Sequence, residues 1–184
     1  FTSVMIDASK YEFDKNVELT CKVVEKAKEY GASVEAEIGK LAGNEGNIQN
    51  DEDEQTDPAM AAEFVRQTGV DCLAVAIGTA HGFYTRPPVI NIARLKDIAA
   101  VVDIPLVLHG GSGVPDEMIR RTIELGINKV NYATELRAAM TKAVREALTD
   151  EGIIDPKKFM GKGRQAVIAL CCKKIEVCGS ENKA

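Results

Sequence analysis

The sequence predicts an α/β fold, read as a (β/α)8 barrel of which this chain holds the last five βα units, strands four to eight. Three observations carry that prediction. Short apolar runs suited to strands alternate with amphipathic stretches suited to helices, a rhythm that builds a parallel sheet with helical cover. No GxGxxG follows the first strand, which counts against a dinucleotide-binding sheet. Asp7, Glu37, His81 and His109 all stand at or just beyond predicted strand ends, where barrel enzymes carry their chemistry.

The elements follow in order. Thr2 to Asp7 reads as a strand ending in a carboxylate. Asp14 to Tyr30 is an amphipathic helix with Val17, Leu19, Val23, Val24 and Ala27 on its inner stripe, stopped by Gly31. Ser33 to Gly39 is a second strand whose two glutamates alternate in period two. Lys40 to Thr56 reads as a long polar loop, its Asn50 to Glu54 portion as a solvated acidic run. Asp57-Pro58 suits the cap and first position of a helix through Gln67, ended by Gly69. Asp71 to Gly78 is a third strand, followed by Thr79-Ala80-His81-Gly82 and a loop from Tyr84 to Pro88. Ile90 to Val101 has a helical pattern.

Ile104 to Leu108 is a fourth strand, apolar without alternation as a buried parallel strand requires. His109 and a Gly-Gly-Ser-Gly turn lead from it into a helix, Pro115 to Leu125. Glycines let backbone N–H groups approach an anion, and the helix N-terminus favours negative charge; the alternative is an ordinary tight βα turn. Lys129 to Ala133 is the fifth strand and Glu135 to Leu148 its helix; Asp155 to Phe159 reads as a turn and Gly163 to Cys178 as a last helix.

Composition narrows the class. The 184 residues, 45% hydrophobic and 28% charged, are enough for one globular domain, taken to cover 1–184. A net charge of −5 without a basic cluster argues against nucleic acid as a partner. No apolar run has membrane-spanning length, and the first residues lack signal-peptide character. A start at Phe1 inside an apparent strand suggests a piece of a longer protein. Five cysteines in no metal-knuckle spacing read as reduced thiols in a cytoplasmic protein.

Only two histidines exist, and both follow neighbouring strands and precede glycine. A lone strand-end histidine is commonly structural; a matched pair points to a shared metal. Catalytic zinc takes three protein ligands and an open position, so a third ligand must be a glutamate or lie outside these residues. Glu45, on the long loop, reads either as a solvated acid or as a proton-transfer carboxylate on a lid. Asn131 and Thr134 flank a strand-to-helix turn, as a Thr134 cap or as substrate contacts.

The stretches Ser3-Val-Met-Ile-Asp7, Ser33 to Gly39, Leu73 to Gly82, Pro105 to Gly113 and Lys129 to Glu135 together resemble the class II, zinc-dependent ketose-bisphosphate aldolases. The resemblance runs in order along essentially the whole chain. Ala133 and the Val177-Cys-Gly-Ser180 ending are similar to the tagatose-bisphosphate and related short fructose-bisphosphate branch. It implies a TIM barrel, retro-aldol cleavage of a ketose 1,6-bisphosphate, and a cytoplasmic homo-oligomer, dimer or tetramer. It implies His81 and His109 as zinc ligands, with Asp7 and Glu37 at a second or alternative metal position. It implies Glu45 as the residue moving a proton at the enediolate carbon. Gly82, Gly110, Gly111, Ser112, Asn131, Tyr132, Ala133 and Thr134 would bind substrate and phosphate, with a monovalent cation nearby. Two departures stand out: Thr85-Arg86 where many relatives carry lysine, and no counterpart of the family's Asp-His pair. A lysine-type mechanism would need a strand-end lysine, and Lys129 reads as starting its strand. The competing readings are a metal-dependent sugar-phosphate epimerase or isomerase, and a non-catalytic phosphate-binding remnant.

Overall fold

The computed structural model describes residues 1–45, 48–50, 54–82, 84 and 88–183, with backbone alone at 42–45 and 48–50. Its main sheet has five strands: β1 (Ser3–Ile6), β2 (Ser33–Ile38), β5 (Cys72–Val75), β7 (Leu106–Leu108) and β8 (Ile127–Val130). They lie side by side in chain order, and every pairing is parallel. Helices α1 (Phe13–Lys28), α2 (Pro58–Thr68), α3 (Ile92–Ala99), α4 (Asp116–Glu124) and α5 (Thr134–Ala147) follow successive strands, and α6 (Pro156–Val177) closes the chain. The strands are shorter than the apolar runs suggest, because the residues beyond them leave the parallel ladder and turn into the connecting loops.

Period-two alternation sorts the sheet into two faces. Val34, Ala36, Ile38, Leu73, Val75, Leu106 and Leu108 pack with Val24, Phe64, Leu95, Ile98 and Ile119 of the helices in one apolar cluster. Each fully buried large side chain there contributes about 1.5–3 kcal/mol. The other face carries Glu35, Glu37, Cys72 and Lys129, with His109 just past β7. That face is concave: Lys129 on β8 reaches Glu35 on β2 across two intervening strands, at 2.5 Å. Lys129 is therefore not at the start of its strand, as the sequence suggests, but the third of four residues in β8, with its amine in an ion pair.

Asp57 caps α2 as expected, its Oδ1 accepting from the Met60 N–H at 3.0 Å, and Gly69 ends the helix in the left-handed region. Two expectations need correction. The Lys40–Thr56 stretch is not simply a loop: β3 (Ala42–Glu45) and β4 (Ile48–Asn50) form an antiparallel hairpin. Its base is clasped by reciprocal backbone hydrogen bonds between Lys40 and Glu54, of 2.9 and 3.0 Å; residues 51–53 of the acidic run lie outside the described residues. The hairpin docks in parallel on β6 (Ala80–His81), with Gly43 opposite His81. The turn expected at Asp155 to Phe159 is instead the start of α6. Asp155 Oδ1 accepts from the Lys157 N–H at 2.9 Å and Pro156 takes the first helical position. Gly161 and Gly163 suggest a break to local reading. At Gly163 the reason for glycine is tertiary: a Cβ would come within 2.9 Å of Val144 on α5.

Candidate active site

His109 directly follows β7 and is 5% exposed, held between two carboxylates of β2. Its Nε2 lies 2.9 Å from Glu35 Oε1, and its Nδ1 lies 3.0 Å from Glu37 Oε2. Burial alone pushes the imidazole toward the neutral form, but Glu35 and Glu37 outweigh it and raise its pKa to about 9. Burial likewise pushes Glu35 up, yet His109 and Lys129 hold it below the usual carboxylate range. Glu37 goes the other way: burial dominates, assisted by the charge of Asp7, against the pull of His109 and His81.

Although Glu37 Oε2 is within ion-pair distance of His109, that contact lacks hydrogen-bond directionality. The oxygen is buried with no hydrogen-bond partner among the described residues. A buried carboxylate oxygen whose close neighbour is misaligned for a hydrogen bond is costly and calls for an explanation. The His81 ring lies close by, its centroid 6.0 Å from that of His109 and its plane tilted by 35°. Both histidines therefore open onto one cleft of about 560 Å³.

That cleft gathers eleven of the residues singled out from sequence: Asp7, Glu37, His81, Gly82, His109, Gly110, Ser112, Asn131, Tyr132, Ala133 and Thr134. Asp7 is exposed at its rim and accepts from the Ser9 N–H at 3.0 Å and the Ser9 hydroxyl at 2.7 Å. Gly111 is absent from the lining: its N–H donates to the Asn131 carbonyl at 3.0 Å, and a Cβ there would meet Val130 at 2.7 Å. It serves the approach of two turns rather than an anion. Thr134 does not cap α5. The Ser112 hydroxyl, reaching over from the preceding turn, accepts from the Ala133 and Glu135 N–H groups at 3.1 and 3.4 Å. The side chain of Glu45 and residues Thr85 and Arg86 lie outside the described residues; the Glu45 backbone sits in β3, two residues beyond the one facing His81.

Gly110 adopts φ +68°, and a Cβ on it would stand 2.4 Å from the Ala80 carbonyl oxygen. The Tyr84 hydroxyl accepts from the Ala80 N–H at 2.8 Å and donates to the Gly110 carbonyl at 2.9 Å, tying the same two turns. Gly110→Ala should therefore lower stability by about 1–3 kcal/mol, read from a urea unfolding midpoint, through backbone strain and contact with Ala80. An unchanged midpoint would show that this turn relaxes freely.

This combination of strand-end histidines, interior carboxylates and glycine turns matches one family end to end. The model of the class-II fructose-bisphosphate aldolases matches residues 1–183. The chain belongs to the class II fructose-bisphosphate aldolase family. A fructose-bisphosphate aldolase of Geobacillus stearothermophilus is 46% identical over 185 residues, covering all of this chain and 64% of that protein. The YdjI aldolase of Escherichia coli K12 superposes with a TM-score of 0.86 at 40% identity, over all of this chain and 63% of its own. A Coccidioides immitis protein assigned as a fructose-1,6-biphosphate aldolase gives 0.89 at 30% identity, over 98% of this chain and 64% of its own. This chain thus spans somewhat under two thirds of the length of these relatives.

Class II aldolases are generally metal-dependent, and the donor set here fits part of such a site. Two imidazoles and a buried carboxylate oxygen without a hydrogen-bond partner are borderline-to-hard donors of the kind a divalent ion takes. Among the described residues, however, no three such side chains converge closely enough to enclose an ion. Four residues beyond those singled out from sequence shape the site. Glu35 pairs with both His109 and Lys129, Tyr84 ties two turns, and Arg137 lines the cleft. For Glu35 a signal existed, since it shares with Glu37 one face of an otherwise apolar strand. For the others none was local. No helix among the described residues is long and apolar enough to cross a membrane.

Proposed function

We propose that residues 1–184 are the C-terminal part of a single barrel-type aldolase domain. Its full-length form cleaves a ketose 1,6-bisphosphate, fructose 1,6-bisphosphate or its C4 epimer tagatose 1,6-bisphosphate, to dihydroxyacetone phosphate and glyceraldehyde 3-phosphate. The observation that carries this reading is the facing of His81 and His109 into one cleft beside the buried Glu37 oxygen that makes no hydrogen bond among the described residues. His81 and His109 would hold zinc, with Glu37 and Asp7 at an alternative position and the third ligand outside these residues. Bound zinc supplies a Lewis acid for the charge that develops on the C2 oxygen when the C3–C4 bond breaks.

The chain's own residues do the rest. Gly82, Gly110 and the Asn131–Thr134 turn, with α5 behind it, offer backbone groups to phosphate and hydroxyls. That binding remote from the breaking bond positions the substrate. A monovalent cation beside the phosphate belongs to the same reading, as do a homo-oligomeric full-length protein and a cytoplasmic location. Cleavage takes a proton from the C4 hydroxyl, by a base outside these residues, and delivers one to C3. Glu45 fits the second task, since the hairpin docked on β6 brings its backbone to the His81 side.

Glu45→Gln in the full-length protein should slow proton exchange at C3 of dihydroxyacetone phosphate about 10² to 10⁴-fold while zinc stays bound. Exchange at the parent rate would return Glu45 to the solvated hairpin. Chelation should abolish cleavage and zinc restore it, whereas borohydride with substrate should trap no adduct. A trapped adduct would favour a lysine mechanism instead.

A further inference from the structure

Among the described residues, Glu35 is the most buried acid that the proposed chemistry leaves unused. At 3% exposure it has three partners: His109 Nε2 at 2.9 Å, Lys129 Nζ at 2.5 Å and Cys72 Sγ at 3.6 Å. Packing does not require it. Neighbouring interior positions on β5 and β7 are filled by Ala74 and Val107, and an ionised carboxylate at this depth is costly unless paired. The partners come from separate strands: β2 supplies the acid, the end of β7 the imidazole, and β8 the amine. Lys129 does not line the cleft, so substrate contact does not account for it.

We infer that Glu35 and Lys129 form a positioning pair for His109: Glu35 accepts the Nε2 proton, fixing the tautomer that presents Nδ1 to the cleft, and Lys129 holds Glu35 in place. A neutral imidazole has one N–H and one lone pair, and the hydrogen bond at one nitrogen decides which nitrogen can ligate. Here Nε2 faces Glu35, which does not line the cleft, and Nδ1 faces Glu37, which does. The inference rests on the proposed role of His109 as a metal ligand, and the experiment separates the two.

In the full-length protein, zinc affinity is measured by chelator competition for parent, His109→Ala, Glu35→Leu, Lys129→Met and Lys129→Arg. The ligating nitrogen of His109 is read by ¹⁵N imidazole shifts of zinc-loaded protein. The expected result is loss of the zinc site in His109→Ala and about 10- to 100-fold weaker zinc in Glu35→Leu and Lys129→Met. Lys129→Arg should recover most of the affinity, and the parent should show Nδ1 ligation. Should Glu35→Leu fail to fold, Lys129→Met carries the test, because that side chain is half exposed. If His109→Ala loses zinc while Lys129→Met binds it as tightly as the parent, or if the parent ligates through Nε2, the positioning pair is overturned and the metal reading stands. If His109→Ala keeps its zinc, the metal reading itself falls, and the inference with it.

Discussion

His109→Ala in the full-length protein should lose bound zinc and lower cleavage by at least about a thousandfold, the two losses occurring together. The magnitude follows from what is removed: charge stabilisation of several kcal/mol at the C2 oxygen, with each 1.4 kcal/mol worth about tenfold in rate. A second effect adds to it. Removing the imidazole leaves Glu35 with Lys129 alone and takes from Glu37 the ring that now lies between the two carboxylates, and buried like charges brought face to face repel. Metal content by elemental analysis and cleavage by a coupled assay on the same preparation make the check. His81→Ala should parallel it, since both rings open on the same cleft. Zinc content unchanged in both variants would favour a phosphate-binding remnant over a catalyst.

The 184-residue chain by itself should associate or precipitate and show no ketose-bisphosphate cleavage, regaining activity when the part of the fold that this chain does not span in its relatives is supplied. Among the described residues, β1 and β8 each pair along one edge only. On β1 the open edge is apolar as well, with Val4 and Met5 36% and 43% exposed. An open, apolar edge strand is a template for pairing with another chain. The interior that would be left open differs from the layers of branched apolar side chains usual in such barrels. Val34, Val75 and Leu106 face the helices, and the concave face presents Glu35, Glu37 and His109. The failure should therefore begin at the edges, with a polar interior that packs poorly against a second copy. Size-exclusion chromatography, denaturant unfolding and an aldol-cleavage assay decide it. A monomeric, cooperatively unfolding 184-residue protein with zinc-dependent cleavage would show that no further units are needed.

The five strands of the main sheet and the helices that follow them were legible because they rest on local signals: period-two and period-3.6 apolar spacing, glycine stops, and the Asp57-Pro58 cap. The cleft was legible for the same reason. Parallel strands in register bring their C-terminal ends to one rim, so residue types at strand ends become neighbours in space. Knowing that His81 and His109 both follow strands was enough to place them together. Which residues support them was not. Glu35 meets His109 and Lys129 over separations of 74 and 94 residues, and no window of sequence spans that distance. The same limit explains Ser112 capping α5 in place of Thr134, and the Gly111 amide bonding to Asn131. It explains as well Gly163 lying inside a continuous α6. In each case the local chemistry allowed two outcomes, and a partner from another element, arriving only once the chain was folded, chose between them.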